Sequence, residues 1–291
     1  MLIFDEIRRS QRIARLARWV PLVPAVVWLT AFLALPLAII VRYGFAERAP
    51  YGGVVPTWTL ANFAQAIQPP YLAVYWRSLW MALATTAACA ALAYPAAYFI
   101  AVKSDRKWKS VWLTLAVVPF WTSFLIRTYA WMFILRTEGL ANALLMKCGL
   151  ISAPLPLLYN DFAVLLGLVY GELPFMLLPL YASLEKLDRR LLEAAADLDA
   201  PPWRTFWRVT LPLSRPGLLA GALLTFIPSL GAFVTSDLLG GAKSVLIGNL
   251  IQNQFVQRNQ PFGSAVAILL TAVVLALLAI GLRAGAAVGH R

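Results

Sequence analysis

The chain has 291 residues, of which 61% are apolar and only 13% charged, with a net charge of +12. That charged share is about half the usual one for a soluble domain, too little polar surface to cover a soluble fold of this length. A single histidine, His290, and two cysteines, Cys89 and Cys148, argue on inventory against a His/Cys metal site and a Ser–His catalytic pair. No cofactor is expected to be bound by this chain.

Residues 1–18 are basic, with Ile7, Ile13 and Leu16 at helical spacing, and are expected to lie along the inner membrane surface. The first apolar run covers about 19–41. Its basic flank suits a signal peptide, but the run exceeds the usual apolar length and no small-x-small cleavage site follows, so a retained span is expected. Further runs cover about 78–102, 110–135, 162–184, 216–236 and 261–282, each close to the ~20 residues that cross the hydrocarbon core. Arg127 interrupts the third and Glu172 the fourth. None shows the two-residue alternation of a barrel strand, and lipid cannot satisfy open backbone, so all are expected to be helices. The fold class is therefore an all-α polytopic membrane protein with about six transmembrane helices. Cys89 falls in a span and Cys148 in a loop, which disfavours a disulfide between them.

Lysine and arginine set the orientation. With the N-terminus inside, 17 of the 25 basic residues fall on inner segments, six on outer loops, and Arg77 and Arg127 at or within spans. Both termini and the loop at about 185–215 are then cytoplasmic. The positive net charge follows from this bias and is no nucleic-acid footprint. Turn chemistry marks the outer loops, as in Tyr51-Gly52-Gly53 and Gln68-Pro69-Pro70.

No nucleotide site is legible. Gly240-Gly241-Ala242-Lys243-Ser244 ends in Lys-Ser but lacks the spacing of a phosphate loop and falls on the outer side. If ATP energises this chain, another chain binds it.

The loop at 185–215 has a helix-forming first half through Leu198, then Asp199 and Ala200 before Pro201 and Pro202, which stop that helix. Pro202 suits the first turn of a second helix, carrying Trp203, Phe206 and Trp207 at i, i+3 and i+4. Such an amphipathic pair either lies on lipid headgroups or plugs a groove on a partner.

Glu193-Ala194-Ala195, Asp199 and Val209-Thr210-Leu211-Pro212 resemble the EAA loop of ABC importer permeases. That family's pattern is E-A-A, three residues, Gly, nine residues, I-x-L-P. The spacing is kept, and the departure is Asp199 in place of Gly. A glycine there suggests a backbone at positive φ, which Asp tolerates better than most residues. Further segments resemble the spermidine/putrescine branch of the family: Pro119 to Trp131, Leu173-Pro174-Phe175-Met176 with Pro179, and Ser236 to Lys243 with Ile247-Gly248-Asn249.

The resemblance implies a type I ABC importer transmembrane-domain fold in the bacterial inner membrane. It implies a non-catalytic permease for spermidine, putrescine or a related small cation. Its partners would be a second homologous permease subunit, an ABC ATPase dimer and a periplasmic solute-binding protein. Contact with the ATPase would fall to Glu193, Ala194, Ala195, Asp197, Asp199, Trp203, Trp207, Leu211 and Pro212.

A dication crossing an apolar pore needs carboxylates, carbonyls or aromatic faces. Glu172 and Asp237 are the available carboxylates, and Tyr129, Trp131, Tyr170 and Phe233 the candidate faces. Arg127 is structural or gating, and the alternative for Arg127 and Glu172 is that they pair with each other or with backbone carbonyls, since charges within spans are costly and seek partners. Other readings are a permease for another small organic solute, a proton-coupled secondary transporter using Glu172, and a membrane scaffold. The EAA spacing argues against the last two.

Overall fold

The computed structural model describes residues 20–289. The amphipathic segment expected at 1–18 lies outside the described residues. Among the described residues, five helices are long and apolar enough to cross a membrane, or six if one sharply bent pair counts as a span.

The chain forms two compact units, one running to Ala66 with Gln254–Leu269 added, the other comprising Ile67–Asn253 and Leu270 onward. In the first, a 3₁₀ turn at Val20–Leu22 leads into α1 (Val23–Gly44). α1 is apolar on every face and exposed along nearly its whole length, as a helix bathed in lipid or covered by another chain must be. Its end is buried, because a Cβ on Gly44 would come within 2.6 Å of Ile268 Cδ1. A small antiparallel hairpin follows, β1 (Glu47–Arg48) and β2 (Val54–Val55), turning at Gly52 and Gly53, both at positive φ. The Gly53 N–H donates to the Arg258 carbonyl at 2.9 Å, fastening the hairpin to the chain before the last helix. α2 (Ala61–Ala66) closes this part, with Asn62 donating to the carbonyls of Gly44 and Ala46.

The second unit is built on three long helices. α3 (Pro69–Tyr98) extends through a π turn, Phe99–Lys103. Next come α4 (Arg106–Val117), a 3₁₀ turn at Val118–Trp121, α5 (Phe124–Leu135) and α6 (Leu140–Lys147). α7 (Asp161–Glu185) and α8 (Arg189–Asp197) precede α9 (Pro202–Thr205), a π turn at Phe206–Thr210 and α10 (Leu211–Gly231). Short π and 3₁₀ turns over Ser236–Lys243 lead to α11 (Ile247–Val256) and α12 (Gln260–Gly289).

α3, α7 and α10 bury a core of Cys89, Ala93, Ala97, Met176, Leu180 and Leu184. Hydrophobicity alone does not drive helices together in lipid, so close backbone approach has to. α10 supplies it through Gly217-x-x-x-Gly221. A Cβ at 217 would meet Ser183 Cβ at 2.4 Å and the Pro179 carbonyl at 2.7 Å, and one at 221 would meet Met176 Sδ at 2.8 Å.

Two expectations are corrected. The third span, expected as one helix over 110–135, is two helical pieces bent by 87° between Trp121 and Phe124. Pro119 cannot donate to the ladder, and Thr122 takes an extended backbone with its hydroxyl donating to the Pro119 carbonyl at 2.7 Å. The fifth span, expected over 216–236, belongs to a continuous helical run, Pro202–Gly231. The second helix expected within 185–215 is thus the first turns of that span, joined to it through the π turn.

Candidate functional site

Two groups of candidate residues lie in the second unit. The first is the elbow formed by α8 and α9. Asp188 caps α8 by accepting from the Arg190 N–H at 3.0 Å. Glu193, Ala194 and Asp197 are exposed and Ala195 is half-buried. Asp199 stands at φ 52°. Its N–H donates to the Ala196 carbonyl at 2.9 Å, and the Ala200 N–H donates to the Ala195 carbonyl at 3.1 Å. This is the bond pair of a Schellman C-cap with its left-handed residue at Asp199, the geometry for which the motif glycine is suited. Pro201 then runs extended and Pro202 opens α9.

The three elbow aromatics divide. Trp203 and Trp207 stay 63% and 62% exposed. Phe206 turns inward and meets the Tyr94 ring edge-on at 5.1 Å. Leu211 and Pro212 are half-buried where α10 begins. The outcome is a bare face of Leu191, Leu198, Trp203 and Trp207, on a short lever tied to α3 behind it. A groove of about 700 Å³ runs beside it, lined by residues that include Pro179, Ser183, Lys186, Leu191, Leu213 and Gly217.

The second group lies mid-helix around the break between α4 and α5. The Arg127 guanidinium sits 4.5 Å from the centre of the Phe120 ring and 5.9 Å from that of Tyr170. Trp131 presses edge-on to Tyr170 at 5.6 Å, and Phe120 stacks near it at 6.4 Å. Arg127 Nε and Nη1 and Glu172 Oε2 are buried without a protein hydrogen-bond partner. Among the described residues no ion pair within 4.0 Å joins the two charges. The paired arrangement that was one expectation for Arg127 is therefore not formed. An aromatic face takes the guanidinium instead.

Trp131, Tyr170 and Arg127 are thus brought together, and Phe120, absent from the expected set, completes the group. Its signal was present in the Pro119-Phe120-Trp121 segment, one helical turn and a bend before Arg127. Tyr129 and Phe233 are exposed and take no part in that ring cluster. Asp237 is exposed too, and its carboxylate accepts from Asn249, whose amide also donates to the Phe233 carbonyl at 2.9 Å.

A polar clasp holds α3, α7 and the Ser236–Ser244 segment. Arg77 pairs with Asp161, Ser244 donates to Asp161 at 2.7 Å, and Ser236 donates to the Ser244 carbonyl. The Ser78 hydroxyl accepts from the Ile247 N–H at 2.7 Å. These residues are remote in sequence, and no spacing rule links them.

Apolar helices sealed by glycines, a broken helix beside intramembrane charges and an exposed elbow define a polytopic helical membrane protein of the transporting kind. Residues 93–291 match the family described as binding-protein-dependent transport system inner membrane component, and the chain belongs to that family. It is 45% identical over 266 residues to the spermidine/putrescine transport system permease protein PotB of Salmonella typhimurium (strain SL1344), covering 91% of this chain and 92% of that one. To PotB of Escherichia coli (strain K12) it is 45% identical over 264 residues, covering 90% and 96%. A crystal structure of a bacterial ABC transporter involved in the import of the acidic polysaccharide alginate superposes with a TM-score of 0.71 over 98% of each chain at 17% identity. That likeness is one of fold.

Proposed function

We propose that this chain and a second, related permease subunit form the path by which a bacterial ABC importer takes up spermidine, putrescine or a close cationic relative. The relatives' names supply the substrate class. The observation that carries the energy coupling is the elbow, where Asp199 in the left-handed conformation sets the angle between α8 and α9 and leaves Trp203 and Trp207 bare. Large apolar side chains on a rigid lever suit a groove on a moving partner. That partner is an ABC ATPase dimer, and a periplasmic binding protein delivers the solute to the other side. Both termini and the elbow then lie in the cytoplasm, in keeping with the bias of basic residues.

The test is reconstitution of this chain with its genomic neighbours in vesicles. Spermidine uptake should require ATP and the loaded binding protein, and Glu193→Cys, made together with Cys148→Ser because Cys148 is a free exposed thiol, should be labelled only by a reagent with access to the cytoplasmic face. Uptake that ignores ATP, or label arriving from the opposite face, overturns the reading.

A further inference from the structure

The Arg127 guanidinium is a cation held where an aromatic site for a cation already exists. It sits over Phe120, within reach of Tyr170. Trp131 braces Tyr170 from the side. Two of its donors, and one oxygen of Glu172, are buried and unsatisfied by protein. A purely structural arginine in a membrane interior pairs with a carboxylate or with carbonyls, and here the nearby carboxylate is left unpaired. Phe120 also sits on the 3₁₀ turn at the 87° bend, so that its ring and the start of α5 are joined by a non-helical link.

We propose that the Phe120–Tyr170 face is a site for a substrate ammonium group, that Arg127 occupies it as a tethered stand-in while the path is empty, and that the passing substrate displaces it. The displaced guanidinium and Glu172 then satisfy each other. Arg127 is thereby a plug that only a competing cation removes, which selects against neutral and anionic solutes. The inference rests on the polyamine reading above for the identity of the cation, but not for the existence of the site.

The decisive probe is methylguanidinium, a free copy of the Arg127 head group, applied to the assembled transporter in detergent. Arg127→Ala should bind it about tenfold more tightly than the wild type, and adding Phe120→Leu should abolish the gain, as expected of a desolvated cation–π contact. Spermidine should compete for that bound methylguanidinium. Equal binding by the wild type and Arg127→Ala overturns the proposal, as does methylguanidinium that spermidine cannot displace. If Arg127→Ala does not assemble, Arg127→Gln, which removes the charge but keeps a polar side chain, takes its place with the same expected gain and the same overturning result. Failure of the polyamine reading has a separate signature, namely no ATP-driven spermidine uptake by the wild type at all.

Discussion

The hydroxyls of Tyr94 and Ser214 share a hydrogen bond of 2.6 Å, and both side chains are buried. Ser214 passes the link on by donating to the Thr210 carbonyl at 2.8 Å, and the Tyr94 ring takes the edge of Phe206 at 5.1 Å. One tyrosine on α3 therefore grips both the π turn and the first turns of α10. A force applied to the elbow reaches the long helices through packed, hydrogen-bonded atoms instead of a flexible loop.

The inward and outward aromatics of the elbow should behave oppositely. Phe206→Ala is expected to cost about 2 kcal/mol of stability, less than a fully buried Phe because the ring is half-buried. Trp203→Ala should leave thermal unfolding in detergent unchanged, Trp207→Ala, whose ring meets Phe206 edge-on at 5.4 Å, should lower it by less than Phe206→Ala does, and both should weaken co-purification of the ATPase subunit. Equal loss of stability in all three would deny the division between anchor and docking face.

At Asp199 the expected direction is a gain. Asp199→Gly removes the penalty of a side chain at φ 52° and should stabilise by about 0.5–1 kcal/mol with coupling intact. Asp199→Val, β-branched in the same conformation, should destabilise by more than 1 kcal/mol. Uptake per ATP hydrolysed, measured in both, checks whether the cap is the whole role of this position.

Gly217→Val should prevent α10 from seating on α7. Its first added carbon falls 2.4 Å from Ser183 Cβ and 2.7 Å from the Pro179 carbonyl, and backbone cannot yield as a side-chain tip can. A loss of about 3 kcal/mol or failure to assemble is expected. Gly281→Ala, where the added carbon would meet Leu223 at an ordinary 3.6 Å, is the tolerated control. Size-exclusion profiles of the two variants decide it.

Removing charge from the path should slow uptake without touching ATP hydrolysis. Glu172→Gln and Asp237→Asn are each expected to lower the initial rate of spermidine uptake. The effect should be the larger at Glu172, which is half-buried with one carboxylate oxygen fully enclosed, while Asp237 is exposed and already holds Asn249. Vesicle uptake at fixed binding-protein concentration measures both. Unchanged rates in the two variants remove these carboxylates from the path.

Much of the elbow was legible in the residues themselves. The Pro201-Pro202 stop, the left-handed demand at Asp199 and the aromatic spacing are local properties, set by sterics within a few residues. The burial of Phe206 was not legible, because the π turn rotates the ring and because its partner, Tyr94, lies more than a hundred residues away. Likewise Arg127 and Glu172 announced themselves as charges in apolar runs. That they remain unpaired depends on Phe120, which reaches Arg127 only because the helix breaks after Pro119.

Composition and the placement of basic residues determined by themselves that this is a helical membrane protein and where its apolar runs lie, because the cost of exposing polar groups to lipid acts on each segment separately. The motif spacing determined the family. Only the tertiary structure decided that the third run bends by 87°, that the loop's second helix is continuous with the fifth span, and that Arg127 faces a ring instead of a carboxylate. Those outcomes turn on which distant side chains meet, and close packing of small residues such as Gly217 and Gly221 selects those meetings at distances that no local pattern encodes.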